Sequence, residues 1–346
     1  MIDLMKYKFD EIIEDCTKYG LKIPTNDYLE KGKFPIIDQG QDFIAGYSNS
    51  DNGIYSDVPA IIFGDHTRIF KYVDFPFFLG ADGVKILKAR KEISYKYLFY
   101  YFLQAKFPNT GYARHYKWLK ELEIPVPTIE KQNSIVNNLD KVTKIIKAHK
   151  ILLEKYDTLI KSRFIEMFGD PIINTKSWNE DEFGNICILK AGKSIKANEL
   201  SNKDKEHSYP CYGGNGIRGY IGKKSHSGNI VLIGRQGALC GNVQITNGDF
   251  YATEHAVVVT PKVEINSLWL YHLLYLMNLN RYKTGAAQPG LTVEKLNTVP
   301  VMIVPVKLQN DFAAFVQQID KSKFAVQKSL EKAETLYKSL MQEYFG

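Results

Sequence analysis

The chain has 346 residues, more than one hydrophobic core usually organises, so about two domains are expected. Its 45% hydrophobic and 24% charged residues exclude bulk disorder, and a net charge of +7 is compatible with a nucleic-acid partner without requiring one. The four scattered cysteines, Cys16, Cys187, Cys211 and Cys240, form no C-x-x-C pair; this excludes a zinc ribbon and a thioredoxin-type motif and favours a reducing compartment.

In chain order, residues 1–15 mix Lys6 and Lys8 with acids and carry no apolar run, so they do not read as a signal peptide. Residues 60–63 and 84–87 are short apolar runs expected as strands, and a helix is expected near 95–105. From 132 to 168 the chain has no Pro and no Gly. Ile135, Leu139, Val142, Ile146, His149, Leu153, Tyr156, Ile160, Phe164 and Met167 recur there at spacings of three and four, with Lys141, Lys144, Lys147, Lys150, Glu154 and Lys161 between them. That is the seam of a coiled-coil helix over four heptads.

Strands are expected again at 229–234 and 256–260. The longest apolar stretch, 268–279, contains His272 and Asn278 and is too short to cross a bilayer, so it is expected as a buried helix. Pro300 and Pro305 make 299–306 an edge strand or extended connector. A second long helix carries a weaker seam of Phe315, Ile319, Ser322, Val326, Ala333, Tyr337, Leu340 and Tyr344.

The chain repeats itself. Ile124-Pro125-Val126-Pro127 and Gln132-Asn133 return as Ile303-Val304-Pro305-Val306 and Gln309-Asn310. Each copy then runs 36 positions from its Gln to Phe-Gly, at Phe168-Gly169 and Phe345-Gly346. Residues 81–84 align with 253–256, and Tyr97-Leu98 with Trp269-Leu270, at one common offset. The period of about 170 residues is a domain duplication, not a solenoid. It predicts an α/β (α+β) fold: two mixed α/β domains joined by a pair of long antiparallel coiled-coil helices with pseudo-twofold symmetry. The expected boundaries are 1–131 and 170–308 for the domains, and 132–169 and 309–346 for the helices.

Gly214-Asn215-Gly216-Ile217-Arg218-Gly219 spells G-x-G-x-x-G, but strand-like residues follow it and no acid lies between Glu206 and Asp249. A dinucleotide site needs a helix and an acid there, so a glycine-rich hairpin is expected instead. Residues 190–235 hold nine Lys/Arg against three Asp/Glu, including Arg218, Lys223 and Lys224, whereas residues 1–90 hold eleven against fourteen. This basic segment suits phosphate contact; a solvated lysine face would look the same. Loops follow at Arg235-Gln236 and at Arg281, Lys283 and Gln288. Their counterparts are the 64–68 loop, with Arg68 and nearby Lys71, and Arg114, His115, Tyr116 and Lys117. Arg and Gln are side chains that read guanine and adenine edges, yet each could equally be a plain surface turn. No P-loop, no H-E-x-x-H pair, no amino-methylation motif and no acidic nuclease cluster is present, so neither a catalytic site nor a metal site is expected.

The order of these parts resembles the specificity (S) subunit of Type I restriction–modification systems. The carrying residues are Ile124-Pro125-Val126-Pro127, Glu130-Lys131-Gln132, 163–170 (Arg-Phe-Ile-Glu-Met-Phe-Gly-Asp) and 286–291 (Ala-Ala-Gln-Pro-Gly-Leu). The second copy replaces the compact Pro-x-Pro step with Val299-Pro300 and Val304-Pro305. The resemblance implies two target-recognition domains, each reading half of a split double-stranded DNA site, with the helices as a ruler. It implies a non-catalytic chain in the bacterial cytoplasm, away from membranes. Two modification (methyltransferase) subunits would dock on it, with restriction (motor–nuclease) subunits as optional further partners. No cofactor would be bound by this chain, since S-adenosylmethionine, ATP and Mg belong to the partners. A stand-alone nuclease and a non-catalytic coiled-coil adaptor are the alternatives from other classes.

Overall fold

The computed structural model describes residues 5–80, 83–108, 113–202, 208–237, 239–284 and 290–346. The chain divides into two compact units, Met1–Lys150 with Ser329–Gly346, and Ile151–Lys328. Each long helix is therefore divided between the two units, which do not follow the linear order of domain and helix.

The first unit contains β1 (Met5–Lys8), α1 (Phe9–Ile12), β2 (Ile13–Asp15), β3 (Phe34–Ile37), β4 (Gly46–Ser48), β5 (Ala60–Gly64), β6 (Phe70–Val73), β7 (Phe78–Leu79), β8 (Val84–Ala89), α2 (Tyr95–Leu103), α3 (Tyr116–Leu119), β9 (Glu123–Val126) and the start of α4 (Ile129–Phe168). The second contains β10 (Glu180–Glu182), α5 (Phe183–Ile186), β11 (Cys187–Ala191), β12 (Tyr209–Gly213), β13 (Gly216–Ile221), β14 (His226–Ser227), β15 (Val231–Gly234), β16 (Val243–Ile245), β17 (Asp249–Ala252), β18 (Ala256–Pro261), α6 (Ser267–Leu276), α7 (Val293–Asn297), β19 (Pro300–Met302) and the start of α8 (Val306–Phe345).

The sheets repeat, with one strand, β14, added in the second unit. An antiparallel sheet in the order β2-β8-β5-β6 returns as β11-β18-β15-β16. A second sheet, β4-β3-β7, returns as β13-β12-β17-β14, with one parallel pair in each, β3 with β7 and β12 with β17. The proline-bearing segments make two-stranded ribbons, β1 with β9 and β10 with β19, as the missing proline N–H requires.

The central strands are buried on both faces, and their two-residue period feeds two cores. Ile61 and Phe63 of β5 join the core that holds α2 and α4, while Ala60 and Ile62 face the second sheet. In the second unit Val231 and Ile233 join the helix-side core, and Leu232 packs with Phe250 and Val258. Ser94 caps α2 by accepting from the Tyr97 amide, and Asn266 caps α6 by accepting from Leu268 and Trp269.

Each long helix has 40 residues, about 60 Å at 1.5 Å per residue. In the first unit Ile135, Val136 and Leu139 of α4 share a core with Met341 of α8, and Lys150 pairs with Glu334 at 3.1 Å. In the second, Phe164 meets Phe312 edge-on at 5.3 Å, and Phe168 lies between Phe312 and Trp269. The start of one helix thus runs beside the end of the other, antiparallel in both units. Every seam residue expected in α4 is buried or half-buried, and the six charged residues between them are exposed. In α8 the expected seam residues are likewise buried or half-buried, but Phe312, Val316, Leu330 and Met341, all buried, lie outside that seam. Phe312 and Val316 join the second unit's core and Met341 the first unit's, and Phe312 also meets Phe164 and Phe168 of α4. No described helix is long and apolar enough to cross a membrane.

His272 of α6 sits edge-on to Phe312 at 5.4 Å. Burial, aided by the Lys323 charge, pushes its pKa down to about 4, below the unfolded value of about 6.5. The folded state keeps it neutral, so its contribution is complete above pH 6.5 and is lost as pH falls toward 4. The shift corresponds to at most about 3 kcal/mol. Urea unfolding at pH 7 and pH 5 should show this acid-side loss in the native chain and a smaller loss in His272→Leu. An equal loss in both would show that other groups carry the slope.

Candidate nucleic-acid interface

In the second unit, loops converge on one end of the β11-β18-β15-β16 sheet. β15 stops at Gly234, and the Arg235 amide donates to the His255 carbonyl at 3.0 Å. The Arg235 carbonyl accepts from the Leu291 amide at 2.9 Å, and Gln236 bridges to Gly290. The β12–β13 hairpin closes from above: a Cβ on Gly234 would lie 1.9 Å from the Gly214 carbonyl oxygen. Only glycine permits that approach. Asn242 ties the hairpin tip through a 2.9 Å bond to Asn215. The G-x-G-x-x-G segment is therefore the expected hairpin. At the same end, the Gly192 amide donates to the Ala256 carbonyl at 3.0 Å, which brings Lys190 to Lys193 alongside.

The first unit builds the same node. β5 stops at Gly64, the Asp65 amide donates to the Gly83 carbonyl at 2.7 Å, and the Asp65 carbonyl accepts from the His115 amide at 2.8 Å. Asp65 and Arg235 thus hold equivalent backbone positions with opposite charges. The Asp65 carboxylate is buried and accepts from the Tyr116 amide at 2.7 Å, at the start of α3. The Arg235 side chain is half-buried, and its Nε has no partner among the described residues.

The expected contact residues divide into two groups. Arg68, Arg114, Lys117, Arg218, Lys223, Lys224, Gln236, Arg281 and Lys283 are exposed, and Arg235 half so. Lys71 and His115 are corrections. Lys71 is 4% exposed, and its ammonium donates to the backbone carbonyls of Asp38 and Asp42. It holds the 38–42 loop, and burial lowers its pKa. His115 is 1% exposed, with Nδ1 3.0 Å from the Asp65 carbonyl oxygen. Tyr116 is half-buried, edge-on to Phe9 and covered by the Lys85 ammonium at 4.7 Å. Gln288 lies outside the described residues.

A groove of about 620 Å³ lies beside this node; of its lysines, Lys223 and Lys224 are expected contacts, whereas sequence reasoning did not single out Lys190 and Lys193. Lys190 and Lys193 line it together with Lys223, Lys224, His226 and Tyr251. Lys223 pairs with Glu199, and Lys224 with Asp249 at 2.8 Å. Such exposed pairs are weak and exchange readily for a phosphate. The signal was present as the basic segment; the β11 alternation puts Ile188 and Lys190 on one exposed face, and Lys193, Lys223 and Lys224 reach the groove from outside that strand. Among the described residues no cluster of three or more His, Cys, Asp or Glu is placed to hold a metal.

The family model of the Type I restriction modification DNA specificity domain matches residues 1–155 and 175–334. The chain belongs to this family. The type I restriction enzyme EcoprrI specificity subunit of Escherichia coli is 41% identical over 204 residues, covering 57% of this chain and 50% of that protein. A putative type I restriction enzyme specificity subunit of Haemophilus influenzae, S.HindORF215P, is 31% identical over 142 residues, 40% of this chain and 36% of that one. The chain spans half or less of the length of these curated relatives. The crystal structure of a Type-I restriction-modification system S subunit from M. genitalium shares the fold at TM-score 0.72 and 19% identity, covering 100% of this chain and 96% of that one. A chain from structural work on complex assembly and conformational transition of the type I R-M system follows at TM-score 0.55 and 14% identity, covering 99% and 97%.

Arg235, half-buried at the end of the sheet with an Nε unpartnered among the described residues, is the residue whose replacement tests the expected DNA contact most simply. Arg235→Ala should cost about 1–3 kcal/mol and relax one position if the guanidinium reads a guanine. If it meets phosphate, all sequences should weaken alike and the salt slope should fall by about one. DNA titrations at two salt concentrations separate these results, and unchanged affinity in both would make it a surface turn residue.

Proposed function

We propose that this chain is the DNA-specificity subunit of a Type I restriction–modification complex, reading a two-part double-stranded site and catalysing nothing itself. The observation that carries this reading is the duplicated loop node. Asp65 and Arg235 have the same two backbone bonds in the two units and present different side chains around them. One backbone plan with two different surfaces is what reading two unrelated half-sites requires.

The division of labour follows from the residues. Exposed Lys and Arg around the second node and groove supply sequence-independent attraction to phosphate, and the loop side chains discriminate bases. The paired helices act as the ruler between half-sites. Two modification subunits bring S-adenosylmethionine and the methyl transfer; motor–nuclease subunits, where present, bring ATP, Mg and cleavage. The complex works in the bacterial cytoplasm, on the host's own DNA. The specificity subunits among its relatives, and the family's DNA specificity domain, support the same assignment.

The two units should be separable in specificity. Replacing residues 171–308 with the equivalent segment of a relative, then mapping methylated motifs in a host carrying the complex, should change one half-site and leave the other. Simultaneous change of both halves would contradict the reading.

A further inference from the structure

Two buried glutamines hold the globular part of each unit to its long helix by the same pair of hydrogen bonds. Gln132 is the fourth residue of α4 and 1% exposed; Gln309 is the fourth residue of α8 and 3% exposed. Gln132 Nε2 donates to the Pro127 carbonyl at 2.8 Å, and its Oε1 accepts from the Ser94 amide at 2.9 Å. Gln309 Nε2 donates to the Val304 carbonyl at 2.8 Å, and its Oε1 accepts from the Asn266 amide at 2.9 Å. Ser94 and Asn266 are the N-caps of α2 and α6, the helices that pack on the main sheets.

Each amide therefore joins three pieces of backbone: the segment entering the long helix, the first turn of that helix, and the cap of the domain helix. A leucine or methionine would fill a similar volume. Only a planar amide, with donor and acceptor at fixed separation, ties the entering segment and the domain-helix cap in one relative orientation. A buried polar group satisfied at both ends specifies geometry as well as adding stability. The other ties at these junctions differ between the units. Tyr100 donates to Asp140 at 2.7 Å in the first, and Asn266 to Asn310 at 2.8 Å in the second. The glutamine clamp is common to both.

We propose that Gln132 and Gln309 are positioning residues that set the angle at which each recognition domain is carried on its helix, and so the length of spacer accepted between half-sites. The spacer part rests on the DNA-specificity reading; the angle does not.

The test uses Gln132→Met and Gln309→Met, which keep volume and lose both bonds. Gln132→Glu and Gln309→Glu, which keep the acceptor toward the cap amide, serve where a methionine variant does not fold. Two readouts are taken on the full chain. Spin labels at Ser50→Cys and Lys147→Cys, both exposed sites of the first unit, report the domain-to-helix distance without DNA. Methylome mapping with modification subunits reports the spacer. The Gln132 variant should widen the distance distribution. Both variants should raise methylation of sites one base pair off the normal spacer by roughly tenfold or more, as the loss of two buried hydrogen bonds would give, with half-site bases unchanged. A folded variant with the native distance and native spacer preference overturns the proposal, as does loss of base discrimination at an unchanged spacer. A widened distance alongside a native complex that methylates no two-part site supports the positioning role and overturns the specificity reading.

Discussion

The apolar seam of the two long helices is the constraint on which the rest of the structure depends. A helix of 40 residues cannot bury a stripe of Ile, Leu, Val and Phe against one small domain, so the stripe is shared between two cores. Ile135 and Leu139 anchor the start of α4 in the first unit's core, and Phe164 and Phe168 anchor its end in the second's. α8 does the reverse with Phe312 and Met341. Each fully buried anchor contributes about 1.5–3 kcal/mol. Neither domain's core is complete without residues from both helices, and this explains why the compact units cut across the linear order of the chain.

On this frame the two domains keep one backbone and diverge in side chains. The Gly64-Asp65 and Gly234-Arg235 turns share their hydrogen bonds, yet one places a carboxylate in the interior and the other a guanidinium near the surface. The lysines at the end of β11 and after β13 add positive charge to the second unit, whereas the first ninety residues are acidic. A duplicated scaffold is free to vary at such loops because the stabilising contacts lie in the strands and the seam.

Much of this is legible in the sequence. The repeat offset alone pairs residues 81–84 with 253–256, and Gly83 and His255 accept the equivalent bonds in the fold. The α4 seam and its exposed lysines follow from spacing alone. The expected α8 seam is buried or half-buried too, but Phe312 and Met341 fall off its heptad track: they complete the two cores, and Phe312 also meets Phe164 and Phe168 of α4. Lys71 and His115 mislead because their burial depends on distant carbonyls, at Asp38, Asp42 and Asp65, that no local pattern reveals. Of the groove lysines, Lys223 and Lys224 are legible as candidates, while Lys190 and Lys193 are visible only as charge, since their convergence with the others depends on sheet register.

The most direct test of the proposed ruler role of the shared seam lengthens the seam without touching a loop. One heptad inserted into each helix, beside the facing Lys150 and Glu334, preserves the knobs-into-holes register. It adds about 10.5 Å, or roughly three base pairs at 3.4 Å each. In a methylome of cells carrying the variant complex, the half-site sequences should stay as they are and the spacer should grow by that amount. A variant that folds and methylates at the original spacer would contradict that role.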